Sequence, residues 1–354
     1  MEIDRGIGGA MNAAAVGQPV FIVAGRTYFW EDVILAGLAW GEWPALEREL
    51  AAGLAALSRA RAEDALPTAE QLDKAARAFR YEHNLISAQE AHDWLERLAL
   101  TAEDWLEYLR RRVARGQFPD DAPSRSVAPP WSARQLHAEA VCSGTLERLA
   151  RELATRAACL ALSDGRCEQE LREEETIDEG ILADACRLGI RIARSRERLM
   201  YLARVERSYR GVRARALSAS AIAQEVAAHR LEWTRIVCDT LSFESAASAR
   251  EAALCVRVDH QPLCDVGAAA HRQAAREVIY LDDSSPVVAR LFGAREGDVV
   301  GPVEMGSQYV VFEVLDRIPA ATADTEVNLR AESSILHRLA TRELAPMVQW
   351  QTSF

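Results

Sequence analysis

The sequence predicts an α+β protein, mainly helical through its N-terminal and middle segments, with a mixed lobe of strands and helices toward the C-terminus. Leucines recur at three- and four-residue spacing from Leu35 to Leu57, and capping-box sequences follow at Thr68, Ser87 and Thr101, each launching a helix by its own local signal. β-Rich segments lie outside this run, at Pro19 to Tyr28 and again at Tyr309 to Leu315.

At 354 residues and 49% apolar composition the chain exceeds one typical domain, and two or three packed units are expected. The expected segments are 1–118, a linker at 119–131, a helical middle at 132–230, a mixed lobe at 231–320 and a C-terminal helix and tail at 321–354. The formal charge of -11 argues against general nucleic-acid affinity, which rests on phosphate neutralisation. Seven cysteines, odd in number and never spaced as CxxC, are expected to be reduced and mostly buried. The first residues carry no basic n-region or apolar h-region, and no segment is apolar enough to span a bilayer, so a cytoplasmic protein with no membrane partner is expected.

Taken in order, Pro19 to Tyr28 predicts a short hairpin about a glycine-centred turn. Leu35, Leu38, Ala39, Leu46, Leu50, Leu54 and Leu57 then mark the face of a long amphipathic helix. Helices follow Thr68, Ser87 and Thr101, the last two carrying Trp94, Leu95, Leu98 and then Trp105, Leu106, Leu109. Both tryptophans are expected in the core. This succession resembles the N-terminal helical module of SurA-type chaperone foldases over about residues 19–115, and the resemblance implies a peptide-binding unit.

The stretch from Phe118 to Trp131 is rich in proline, serine and aspartate and predicts a linker. Helical leucines resume from Leu136 to Leu162. An acidic segment (Glu168 to Glu179) and then ten arginines between Arg187 and Arg215 follow. The arginine run is expected to be a solvated helix face; its alternative is a docking face for an acidic peptide, centred on Arg204 and Arg207.

Two C-terminal stretches, Gly297-Asp298-Val299-Val300-Gly301-Pro302-Val303 and Gln308 to Arg317, together resemble the closing lobe of parvulin prolyl isomerases. Trp233 to Cys238, Ser245 to Val256 and Pro262 to Ala270 resemble that family's first strand and first two helices. The resemblance implies a sequence of strand, helix, helix, strand region, short helix and terminal strand pair. It also shows what is missing. Arg235 and Val310 stand at the places of the two histidines, and Gln273 to Val278 replaces the glycine turn. Asp283 and Val287 fall at the pocket's methionine and first aromatic, leaving only Phe292. Arg235, Val287, Phe292, Tyr309 and Val310 are thereby the lobe residues expected to touch peptide, without isomerase chemistry.

Cys255, His260, Cys264 and His271 match no common zinc spacing, and both cysteines are expected on inward helix faces, so no metal is expected. Nucleophile elbow, phosphate loop, dinucleotide motif and HExxH are all missing from the sequence, and no cofactor is implied. The whole-chain order resembles parvulin-related proteins that accompany enzymes modifying ribosomally made peptides, in systems of the crocagin kind. The resemblance implies a non-catalytic accessory that binds a precursor peptide through its leader and presents it to modifying enzymes. An active prolyl isomerase and chaperone is the alternative, and a general holdase a third.

Overall fold

The computed structural model describes residues 17–119, 131–163, 179–187, 192–281 and 286–352. It is an α+β protein with two small antiparallel sheets. In chain order, β1 (Pro19–Val23) and β2 (Arg26–Phe29) lead into α1 (Trp30–Ala39), α2 (Trp43–Ala62), α3 (Ala69–Glu82), α4 (Ala88–Arg97) and α5 (Ala102–Gln117). Next come α6 (Ala133–Cys142), α7 (Thr145–Leu162), α8 (Glu179–Arg187), α9 (Ile192–Ala216) and α10 (Ala219–Ala228). The remainder runs β3 (Arg235–Phe243), α11 (Ala246–Asp259), α12 (Leu263–Ala269), β4 (Ala275–Tyr280), α13 (Pro286–Leu291), β5 (Val299–Met305), β6 (Gln308–Ile318), α14 (Thr325–Arg338) and β7 (Val348–Trp350).

Two compact units divide this chain, residues 1–212 with 340–354, and residues 213–339. The first groups the α6 to α9 region with the N-terminal helices. Its small sheet has the order β2-β1-β7, so the C-terminal strand pairs with the N-terminal hairpin. Phe21 lies fully buried, stacked on Tyr28 at 4.5 Å and meeting Trp350 edge-on at 5.5 Å. Val33, Ile34, Leu35 and Ala36 on α1 are fully buried, as expected of a helix that is apolar on all sides beyond its acidic first turn. Its close partner is α7: a Cβ on Gly37 would stand 2.8 Å from Leu149.

The long helix expected over residues 35–57 is two helices. Gly41, at φ +72°, turns the chain between them, and Pro44 sits in the first turn of α2. The three capping boxes form at Thr68, Ser87 and Thr101, with Gln71, Glu90 and Asp104 reaching back to the N-cap amides. The expected linker core (120–130) and most of the acidic segment (164–178) lie outside the described residues.

In the second unit the sheet order is β4-β3-β6-β5, antiparallel throughout. One face packs Leu241, Phe243 and Val311 against α11 and α12. The opposite face packs Ile236, Cys238, Val310 and Phe312 against Val287, Val288 and Leu291 of α13. Helices α10 and α14 close a separate cluster around Trp233, Val226 and Val327, braced by a two-pronged Arg338 to Glu225 pair at 2.9 and 2.8 Å.

Candidate functional site

The residues that the sequence singles out in the second unit do not converge on one pocket. Arg235 opens β3, where its guanidinium pairs with Asp324 and, at 3.4 Å, with Glu326. Asp324 is the N-cap of α14, so this arginine fastens a strand to a helix start. Val310 lies opposite Ser242, whereas Arg235 lies opposite Ile318. Seven residues of β3 therefore separate the two positions, roughly 23 Å at the rise of a strand. A pair of histidines at these places would not touch, so the assignment of Arg235 to the first histidine's place is corrected; the side chain facing Val310 belongs to Ser242.

Val287 and Val310 do meet, but as members of a filled core, 2% and 8% exposed. Phe292, expected to line the pocket, is 52% exposed, and its neighbour Leu291 takes the buried place. The helix ends at Leu291, which fills the inward position one turn after Val287, and Phe292 stands in the turn beyond it. Tyr309 is half-buried against the opposite face. Asp283 lies outside the described residues.

Among the described residues the arginine run is mixed, with Arg196, Arg210, Arg213 and Arg215 exposed. Arg198 is largely covered, pairing with Glu31 at 3.3 Å and with Asp32. Arg204 and Arg207 are half-buried on α9, in the other unit from Arg235, Val287, Phe292, Tyr309 and Val310. Cys264, expected inward, is exposed, because it lies in the short α12 where Leu263, Val266 and Gly267 take the inner positions. Cys255 is half-buried. Among the described residues no three His, Cys, Asp or Glu side chains group to hold a metal ion.

What the second unit does present is a free sheet edge. Strand β4 pairs only with β3 among the described residues, and Ala275 to Val278 are all exposed. The Leu281 amide donates to the Thr234 carbonyl, continuing the β3/β4 register in which Arg235 opposes Tyr280. Hydrogen-bonded pairs alternate along an antiparallel ladder. Ile279, Glu277 and Ala275 thus turn their backbone groups toward β3, while Arg276, Val278 and Tyr280 turn theirs outward. Side chains alternate too: Glu277 shares a face with Thr240, whose hydroxyl reaches its carboxylate at 3.3 Å, and Arg276 shares the other face with Asp239.

The other edge is closed. β5 contains Pro302, which has no amide to donate, and its register with β6 shifts between Val300 and Val303. Arg257 donates to the Val299 and Gly301 carbonyls at 2.9 and 3.0 Å, and Arg290 to that of Pro302 at 3.2 Å. Gly301 is required there, since a Cβ would stand 2.8 Å from the Val310 carbonyl oxygen.

The first unit holds a cleft of about 520 Å³ between α2, α5, α6 and α7. Its floor is the pair Arg111 and Glu139, 3.0 Å apart and 3% and 12% exposed. Arg111 Nε is buried without a partner among the described residues. Around it, Arg112 grips Glu82, Arg115 grips Glu49 and Arg148 grips Glu42, so the lining is charged yet largely self-neutralised. Burial pushes the Glu139 carboxyl above its ordinary range despite Arg111, and pushes the Tyr108 phenol up to about 12.

The sequence pointed to neither place. Glu277 and its neighbours fell in the stretch read as a replaced turn, although Arg-Glu-Val-Ile-Tyr-Leu has the β-branched and aromatic content of a strand. Arg111 and Glu139 are charged residues on helices and read as surface until the helices are packed. No protein-family model matches this chain, and no curated protein matches it.

Proposed function

We propose that the protein is a non-catalytic, peptide-binding accessory that captures an extended segment of a precursor peptide as an added strand on β4 and holds it for a modifying enzyme. The observation that carries this is the row of outward-facing backbone groups at Arg276, Val278 and Tyr280, free of proline, with Arg276 and Val278 exposed and Tyr280 half-buried. Strand addition supplies backbone hydrogen bonds that any extended peptide can satisfy, with side chains on alternate faces giving selectivity. The parvulin-like order of strands and helices and the SurA-like helical succession support a peptide-handling role. The burial of Val287 and Val310 in a filled core supports a role without catalysis at that place.

The test is a proline at the edge. Val278 directs its amide outward, so Val278→Pro removes a docking donor without breaking a ladder bond to β3. Anisotropy with fluorescein-Gly-Ser-Thr-Val-Thr-Val-Thr-Ser-Gly is expected to show binding by the wild type and a loss of about tenfold or more in the variant, at unchanged circular dichroism. Equal affinity of the two proteins would refute docking at β4.

A further inference from the structure

We infer that β4 selects an antiparallel strand carrying a basic residue opposite Glu277, preceded by β-branched residues opposite Ile279 and Val278. This rests on the strand-addition proposal and adds the chemistry of the segment it takes.

The two charges at this edge are not equivalent. Arg276 is engaged, its Nε and Nη2 donating to Asp239 at 2.9 and 3.3 Å. Glu277 is exposed, accepts only the Thr240 hydroxyl, and has no ion-pair partner among the described residues. An incoming strand lies ~4.8 Å from β4. Opposite Glu277 the pairing is of the non-hydrogen-bonded kind, in which side chains approach most closely. A lysine or arginine there meets an uncommitted carboxylate, whereas an acidic residue meets a like charge. The net charge of -11 favours the cation further.

The neighbours define the rest of the pattern. Val278 is 53% exposed on one face, and Ile279 is half-buried at the rim of the α13-side core on the other. β-Branched residues opposite them extend both apolar surfaces and suit an extended backbone. Because the sheet is antiparallel throughout, the incoming chain runs from Tyr280 toward Ala275. From N- to C-terminus it therefore reads apolar, apolar, basic. The charged pair at the edge also discourages indiscriminate strand pairing, so the same residues that select a client protect the edge when it is empty.

The test is a reciprocal charge exchange. Fluorescein-Gly-Thr-Ile-Val-Lys-Thr-Gly and its counterpart with glutamate in place of lysine are titrated against wild type, Glu277→Lys and Val278→Pro at low salt. Wild type is expected to prefer the lysine peptide about three- to five-fold, the size of a cross-strand charge pair, and Glu277→Lys to invert that preference. An unchanged preference in Glu277→Lys would overturn this inference while leaving strand addition intact, provided Val278→Pro abolishes binding of both peptides. Tighter binding of the reversed peptide Gly-Thr-Lys-Val-Ile-Thr-Gly would also overturn it, since that order fits a parallel strand. Indifference of both peptides to Val278→Pro would overturn the docking site itself.

Discussion

Replacing Arg111 with methionine removes one partner of a buried pair and leaves the other. Methionine retains the apolar stem that packs 3.1 Å from the Cβ position of Gly53, so the change isolates the charge. Glu139, 12% exposed, is then an uncompensated carboxylate in the floor of the helical cleft. Stranding one member of such a pair costs about 3–5 kcal/mol, whereas replacing both with apolar groups of similar volume is close to neutral. The pH dependence fixes the cause. Burial already raises the Glu139 carboxyl, and Arg111 is the main influence holding it down. Without Arg111 it rises further, so the folded state holds a proton that the unfolded state releases above its ordinary carboxylate range. A raised carboxyl weakens the fold most above its folded pKa, and the cost declines as pH falls below that value and vanishes toward the ordinary carboxylate range of the unfolded state. Urea denaturation followed by tryptophan fluorescence should therefore show a deficit of about 3–5 kcal/mol for Arg111→Met at pH 8, a smaller one at pH 5, and near recovery in Arg111→Met/Glu139→Leu. A deficit below about 1 kcal/mol, constant between the two pH values, would refute the burial of this pair.

The acid limb of stability should contain a contribution from Asp104. Burial alone would raise this carboxyl, but hydrogen bonds from Arg134 and Thr101 outweigh it and lower the group from 3.8 to about 2. Its stabilisation, about 2 kcal/mol, is complete above pH 4 and is lost as pH falls toward 2. Wild type and Asp104→Asn should therefore differ at pH 6 and converge near pH 2 in urea titrations; a gap that persists at pH 2 would place the effect elsewhere. A protease-coupled assay with a proline-containing tetrapeptide is expected to return the uncatalysed rate, because a barrier of ~18–20 kcal/mol needs a preorganised site; clear turnover would reinstate the isomerase alternative.

Local signals were legible and pairings were not. Thr68, Ser87 and Thr101 announce their helices because a capping box is written within four residues. The hairpin at Ala24 and Gly25 is equally local, with both residues at positive φ. By contrast, nothing near Val348 to Trp350 indicates that it completes a sheet with Pro19 to Val23; that pairing joins residues more than three hundred positions apart. The candidate site failed for the same reason. Placing Arg235 and Val310 together required the β3/β6 register, which a bulge between Val237 and Cys238 shifts by a residue. Phe292 lies one residue beyond α13, whose last residue, Leu291, takes the buried place. Glu277 is not legible as a site in the sequence, because its place on a sheet edge depends on β4 pairing with β3 alone among the described residues.

The two edges of the four-stranded sheet indicate which side of the unit is left for binding. An unprotected edge invites aggregation, and β5 carries several separate protections: a proline, a register shift and two arginines on its carbonyls. β4 has only its charges, and of these Arg276 is tied to Asp239. Yet β4 is not loosely held. Six consecutive residues of β3 oppose it in unbroken register, and the Thr240 hydroxyl shares its one proton between the Ala275 carbonyl and the Glu277 carboxylate. Behind it the two faces of the sheet are filled by Val310, Val287 and Leu291 on one side and Leu241, Phe243 and Val311 on the other. An edge fixed in this way has already met the ordering cost on the protein's side, so a client strand must order only itself. The packing that fills the α13 face thus also holds β4 in the extended form that the proposed strand addition requires.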